Sequence, residues 1–153
     1  MAGHSDNDLG LPSFDTPVKV ALVIAPYYTK IAKQQIASAV EILDRAKVWH
    51  EIIEVPGSLE VPTAIALAGD AYDGYVALGC VIRGRTSHYD VVVEQSAAAI
   101  MQLGLKGYCI GNGIITVENI EQAEERADAN RLDTAGGATQ AALHLIALKR
   151  RFA

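Results

Sequence analysis

Arg85, Thr86 and His88 stand within four residues of one another, just after Gly84, in the stretch Gly79-Cys80-Val81-Ile82-Arg83-Gly84-Arg85-Thr86-Ser87-His88-Tyr89-Asp90. A guanidinium and a hydroxyl hold an oxyanion, and an imidazole takes or gives a proton near neutrality. These types at this spacing read as a phosphate site with an acid–base group beside it. The apolar run from Tyr75 to Ile82 leads into the cluster as a buried strand, and Asp90 to Met101 leaves it as a helix. Ligands of open α/β sheets bind beyond the carboxyl ends of strands, and a helix start offers free N–H groups and a favourable dipole to an anion.

Two other predicted strand ends carry polar groups. Tyr27 follows Val18 to Ala25 and suits stacking on a flat ring. Ser58 and Glu60 follow Trp49 to Val55, where a hydroxyl, a carboxylate and turn amides suit a polyol. Together the three ends fit a ligand with a ring, a hydroxylated chain and a phosphate. Each residue also has a plainer reading: Tyr27 as a packed aromatic, Glu60 as a carboxylate complementing a helix start, His88 as a helix-surface histidine. Neither a dinucleotide-binding glycine turn nor a P-loop lysine is present. There is no Gly-x-Ser-x-Gly elbow, and no zinc spacing joins His4, His50, His88 and His144.

The elements that must position these groups follow from periodicity. Val18 to Ala25, rich in β-branched residues, reads as a strand buried on both faces of a parallel sheet. Thr29 is a candidate N-cap for a helix with Ala32, Ile36, Ala39, Val40 and Leu43 inward. Trp49 to Val55 is a second strand, Pro62 suits the first turn of a short helix, and Tyr75 to Ile82 is the third strand. Tyr108 to Ile110 and Gly113 to Ile115 read as a fourth strand interrupted by glycine. Asn119 with Gln122 forms a capping-box pattern ahead of a helix with Ile120, Ala123 and Ala127 inward. A last helix, Ala135 to Arg151, places Ala138, Ala141, Ala142, Leu145 and Leu148 inward. The alternation predicts about four parallel strands between helical layers, with right-handed crossovers. A sheet this narrow, with alanine-rich helices, predicts association between copies.

A chain of 153 residues suits one domain. We divide it into an N-terminal arm, 1–17, and a domain, 18–153. The arm is polar, and Phe14 is its one large aromatic, suited to a neighbour's surface. Formal charge is −5, which argues against a general nucleic-acid binder. The one basic cluster, Lys149-Arg150-Arg151, complements the end of a helix. Cys80 and Cys109 lie in apolar runs and read as buried thiols rather than a disulfide framework. No secretory pattern opens the sequence, and no apolar run approaches the roughly 20 residues that span a bilayer. The expectations are a cytoplasmic location and no membrane partner.

Three blocks together carry a family resemblance. They are Val55-Pro56-Gly57-Ser58-Leu59-Glu60-Val61-Pro62, Ala77 to Asp90, and Gly113-Ile114-Ile115-Thr116-Val117-Glu118-Asn119-Ile120-Glu121-Gln122-Ala123-Glu124-Glu125-Arg126-Ala127. From Val18 to Phe152 the chain resembles the lumazine synthases of riboflavin biosynthesis. The resemblance implies a flavodoxin-like, three-layer α/β/α fold with a four-stranded parallel sheet. It also implies homopentamers, in some members assembled into larger shells, with active sites at subunit interfaces and no metal or cofactor. The implied reaction joins 5-amino-6-(D-ribitylamino)uracil to 3,4-dihydroxy-2-butanone 4-phosphate, with release of phosphate and water. By the same resemblance Tyr27 stacks on the pyrimidine, and Ser58, Leu59 and Glu60 bind the ribityl chain. Cys80, Val81 and Ile82 line the heterocycle through backbone groups. Arg85 and Thr86 fall at the phosphate loop, Arg126 reaches the phosphate of a neighbouring subunit, and His88 transfers the proton.

Three positions depart from the family pattern. Arg85 stands where many members have an acidic or small residue, and Thr134 where many have a lysine that helps bind phosphate. Asn112 replaces an aromatic found near the ring in some members. Arg85 is thus expected to supply the charge that Thr134 cannot, against the plainer reading that it points to solvent. Two other roles compete with the enzyme: a non-catalytic binder of a flavin or lumazine, and a shell protein with weak activity.

Overall fold

The computed structural model describes residues 8–153, so residues 1–7 of the arm lie outside the described residues. Four strands form one parallel sheet in the order β2-β1-β3-β4: β1 (Lys19–Ile24), β2 (Trp49–Glu54), β3 (Gly74–Ile82) and β4 (Ile110–Val117). The helices are α1 (Thr29–Arg45), α2 (Glu60–Ala68), α3 (His88–Leu105), α4 (Ile120–Ala127) and α5 (Thr134–Phe152). The β-branched run of β1 takes the centre because its side chains find an apolar layer on each side. Val20, Leu22 and Ile24 pack with α1 and α5, while Ala21 and Val23 pack with α2 and α3. Burying each such Val, Leu or Ile is worth about 1.5–3 kcal/mol. A third cluster joins Ile31, Cys80, Ile115 and Val117 to Ala123 and Ala127 of α4. The three-layer α/β/α arrangement with four parallel strands is the expected one.

Several local expectations differ from the structure. The cap of α1 is Tyr28, which makes no side-chain cap bond, and Thr29 is the first helical residue. The inward stripe of α1 includes two polar residues, Gln35 and Ser38, while Ile36 and Val40 are only half-buried. Gln35 Nε2 donates to the carbonyls of Gly79 (2.9 Å) and Gly113 (3.1 Å), and Ser38 Oγ donates to Asp133. Periodicity of apolar residues alone is blind to such polar struts.

β4 is continuous, not interrupted. Its glycines are there because α5 lies against the strand: a Cβ on Gly111 would sit 1.8 Å from the Ala138 carbonyl oxygen. That approach also rotates α5. Ala135, Ala138, Thr139, Ala142, Leu143 and Ile146 are buried, whereas Ala141, Leu145 and Leu148 are exposed. Asn119 does cap α4, accepting from Gln122 N (2.9 Å), but Gln122 Oε1 accepts from Glu118 N rather than from Asn119 N. Ile120 is exposed.

The described part of the arm packs on its own chain. Leu11 and Phe14 lie against the α1–α5 core, and Arg150 donates to the carbonyls of Thr16 and Pro17. No described helix is long and apolar enough to cross a membrane.

Candidate active site

The carboxyl ends of β1, β2 and β3 converge on one cleft of about 470 Å³. Its walls are Tyr27 and Tyr28 after β1, the turn from Pro56 to Glu60 between β2 and α2, and Cys80 to Ile82 at the end of β3. His88 and Val92 close it from the first turns of α3. A parallel sheet makes this geometry unavoidable, because every strand delivers its following loop to the same edge.

Each wall has a local cause. Pro26 ends β1, and Tyr27 is left 74% exposed, its ring edge-on to Tyr28 at 5.0 Å. In the second wall, the N–H of Glu60 donates to the Gly57 carbonyl (3.0 Å) and starts α2. The Glu60 carboxylate folds back over Gly57, where a Cβ would stand 2.9 Å from Oε2. Ser58 is buried, its Oγ set over Gly79, where a Cβ would be only 2.8 Å away. Gly79 is therefore the opening in β3 that admits the hydroxyl. Burial pushes the Cys80 thiol up to about 11, so it stays protonated at neutral pH and lines the cleft as a neutral group. Burial likewise raises the Tyr28 hydroxyl.

At the third wall, His88 is the first residue of α3, and its N–H donates to Thr86 Oγ1 (3.3 Å). Its side chain shares the cleft with Tyr27, Ser58, Leu59 and Glu60. Arg85 and Thr86 are exposed in the loop just before it. Arg85 makes no ion pair with any described residue, which leaves its charge available. Arg83 is committed elsewhere, to Glu118, Asp90 and the ring of Tyr89.

Of the residues singled out in the sequence, the structure brings together Tyr27, Ser58, Leu59, Glu60, Cys80, Val81, Ile82 and His88. Asn112 and Arg126 are not in this cleft. Asn112 is exposed on β4, where its Oδ1 accepts from Ile114 N (3.1 Å), and Arg126 on α4 donates to the Gln122 carbonyl (3.3 Å). The sequence reading missed Tyr28, Pro56, Gly57 and Val92 as lining residues. Val92 was within reach of it, since a residue four positions after His88 shares its helical face. Among the described residues, no three His, Cys, Asp or Glu side chains are grouped as a metal site requires.

Such an arrangement can stack a planar ring on Tyr27, hydrogen-bond hydroxyls at Ser58 and Glu60, and move a proton at His88. Residues 17–150 match the family model described as 6,7-dimethyl-8-ribityllumazine synthase. A protein of that name from Jannaschia sp. (strain CCS1) is 71% identical, the match covering 99% of this chain and 86% of the relative. Those of Bartonella tribocorum and Sphingopyxis alaskensis are each 50% identical over 87% of this chain, covering 91% and 96% of their own lengths.

Proposed function

The chain belongs to the 6,7-dimethyl-8-ribityllumazine synthase family, and we propose that the cleft between Tyr27 and His88 is where its reaction takes place. The protein is a transferase of riboflavin biosynthesis. It joins 5-amino-6-(D-ribitylamino)uracil to 3,4-dihydroxy-2-butanone 4-phosphate, and phosphate and water leave as the lumazine ring closes. In our reading Tyr27 stacks on the pyrimidine, and Ser58, Leu59 and Glu60 take the ribityl chain. The backbone of Cys80, Val81 and Ile82 meets the heterocycle, with Asn112 near the ring.

The substrate amine is itself the nucleophile, so the protein need not provide one. It attacks the ketone, water leaves, and an imine forms. Loss of phosphate then requires removal of a proton from the carbon beside the imine. His88 takes that proton, a role worth about 10²–10⁴-fold. The departing phosphate is held by Thr86, Arg85 and the first amides of α3, and by Arg126 of a neighbouring subunit. Holding two substrates side by side supplies much of the remaining acceleration.

The single observation that carries this reading is the placement of His88 at the start of α3, in one cleft with Ser58, Leu59, Glu60 and Tyr27. The homopentamer with shared sites is supported by two features. Arg126 lies away from the cleft of its own chain, and Leu67 and Leu105 are about 85% exposed on α2 and α3. Two unpaired buried cysteines support a cytoplasmic location.

The test is an absorbance assay for the lumazine chromophore with both substrates. His88→Ala should lower kcat by about 10²-fold or more while the ribitylaminouracil still binds. Unchanged turnover would remove His88 from the mechanism, and binding without any turnover in the natural chain would favour a mere binder.

A further inference from the structure

We propose that Arg83 is a positioning residue that clamps the first turn of α3 to the end of β4 and thereby sets the ring of His88. The inference rests on the reading of His88 as the proton-transferring group. Arg83 follows the last residue of β3, and its N–H donates to the Val117 carbonyl (2.9 Å), carrying the ladder one step past the strand. Its side chain then reaches in two directions. Nε donates to both Glu118 oxygens (2.9 and 3.2 Å), just beyond β4, and a terminal nitrogen donates to Asp90 Oδ1 (3.3 Å). The guanidinium lies over the ring of Tyr89, 4.1 Å from its centre. Tyr89 and Asp90 are the two residues directly after His88.

The start of α3 has little else to hold it. Ser87, the cap residue, makes no side-chain cap bond, and the one local side-chain contact is Thr86 Oγ1 with His88 N. Uncapped helix starts fray. Glu118, by contrast, is anchored, because its N–H donates to Gln122 Oε1 (2.9 Å) in α4. Arg83 thus ties a helix start that lacks a side-chain cap to one that has it. A planar fork that pairs with two carboxylates while stacking on a ring is a task for arginine rather than lysine. Exposed ion pairs add little to global stability. Misplacing a reacting group by about 1 Å, however, can cost about 10²-fold in rate.

Arg83→Met keeps the stem and removes the fork. We expect kcat to fall about tenfold, with KM for the ribitylaminouracil changed by less than about twofold. The thermal midpoint should stay within about 3 °C, and Arg83→Lys should recover only part of the rate. Combined with His88→Ala, Arg83→Met should cost nothing further, because the group it positions is gone. A kcat within twofold of the natural chain, or a loss that multiplies in full with His88→Ala, overturns the inference. Should Arg83→Met fail to fold, Glu118→Gln carries the same cycle with an expected loss of about threefold. Unchanged turnover in His88→Ala alone sinks the reading of His88 and the inference with it. A fully multiplicative cycle sinks the inference alone.

Discussion

Two glycine positions divide the molecule into a part that holds the fold and a part that leaves room for chemistry. At the seam between β4 and α5, a Cβ on Gly111 would collide with the Ala138 carbonyl, at 1.8 Å from O and 2.6 Å from C. At the corner between β3 and α3, a Cβ on Gly84 would meet nothing within 4 Å. The same residue type is enforced by packing in one place and stands in open space in the other. The seam is made of small buried residues in contact, while the corner is exposed, charged and sparsely bonded. Stability and activity should therefore respond separately to change in the two regions.

The largest separation is expected at the glycines themselves. Gly111→Ala forces α5 off the sheet, because the clash is with backbone and not with a flexible side-chain end. Overpacking of this kind costs about 3 kcal/mol, a fall of about 10 °C in the thermal midpoint. Gly84→Ala should leave the midpoint within about 3 °C, since its φ is not in the left-handed region and the methyl has space. Differential scanning calorimetry of the two variants checks the contrast, and equal losses would abolish it.

A smaller effect sharpens the corner's role. Arg85→Ala should raise KM for the butanone phosphate about fivefold, the value of one charged hydrogen bond discounted for exposure, and leave stability unchanged. Steady-state kinetics with that substrate varied provides the test. An unchanged KM would leave Arg85 a solvent-facing cation.

The smallest effect belongs to the buried side of the cleft. Burial pushes Cys80 up to about 11, whereas a thiol in the unfolded chain ionises near its ordinary value of 9.0. Between those values the unfolded chain has released a proton that the folded chain keeps. Stability must then fall as pH rises from about 9 to about 11. Cys109, also raised by burial, acts in the same direction. Thermal midpoints measured across that window should decline more shallowly in Cys80→Ala than in the natural chain.

Much of the site was legible in the sequence because its residues cluster at strand ends. Ser58, Glu60, Arg85, Thr86 and His88 follow apolar runs whose length and β-branching mark strands, so their shared edge followed from parallel topology alone. The interior of the helices was less legible. Apolar period places Leu145 and Leu148 inward, but α5 turns a different face to the sheet, where Ala138 meets Gly111. Gln35 lies outside any apolar pattern, yet its side-chain amide reaches two strand carbonyls and is fully buried.

The sequence by itself determined the fold class, the strand ends that face the ligand and the family, because apolar periodicity and contiguous motifs are local properties of a chain. The tertiary structure decided which glycine is structural, which arginine is committed and which is free, and which polar side chain is buried. Those outcomes depend on distances between segments far apart in sequence. No local pattern encodes that Arg83 meets Glu118, or that α5 approaches β4 closely enough to forbid a methyl group.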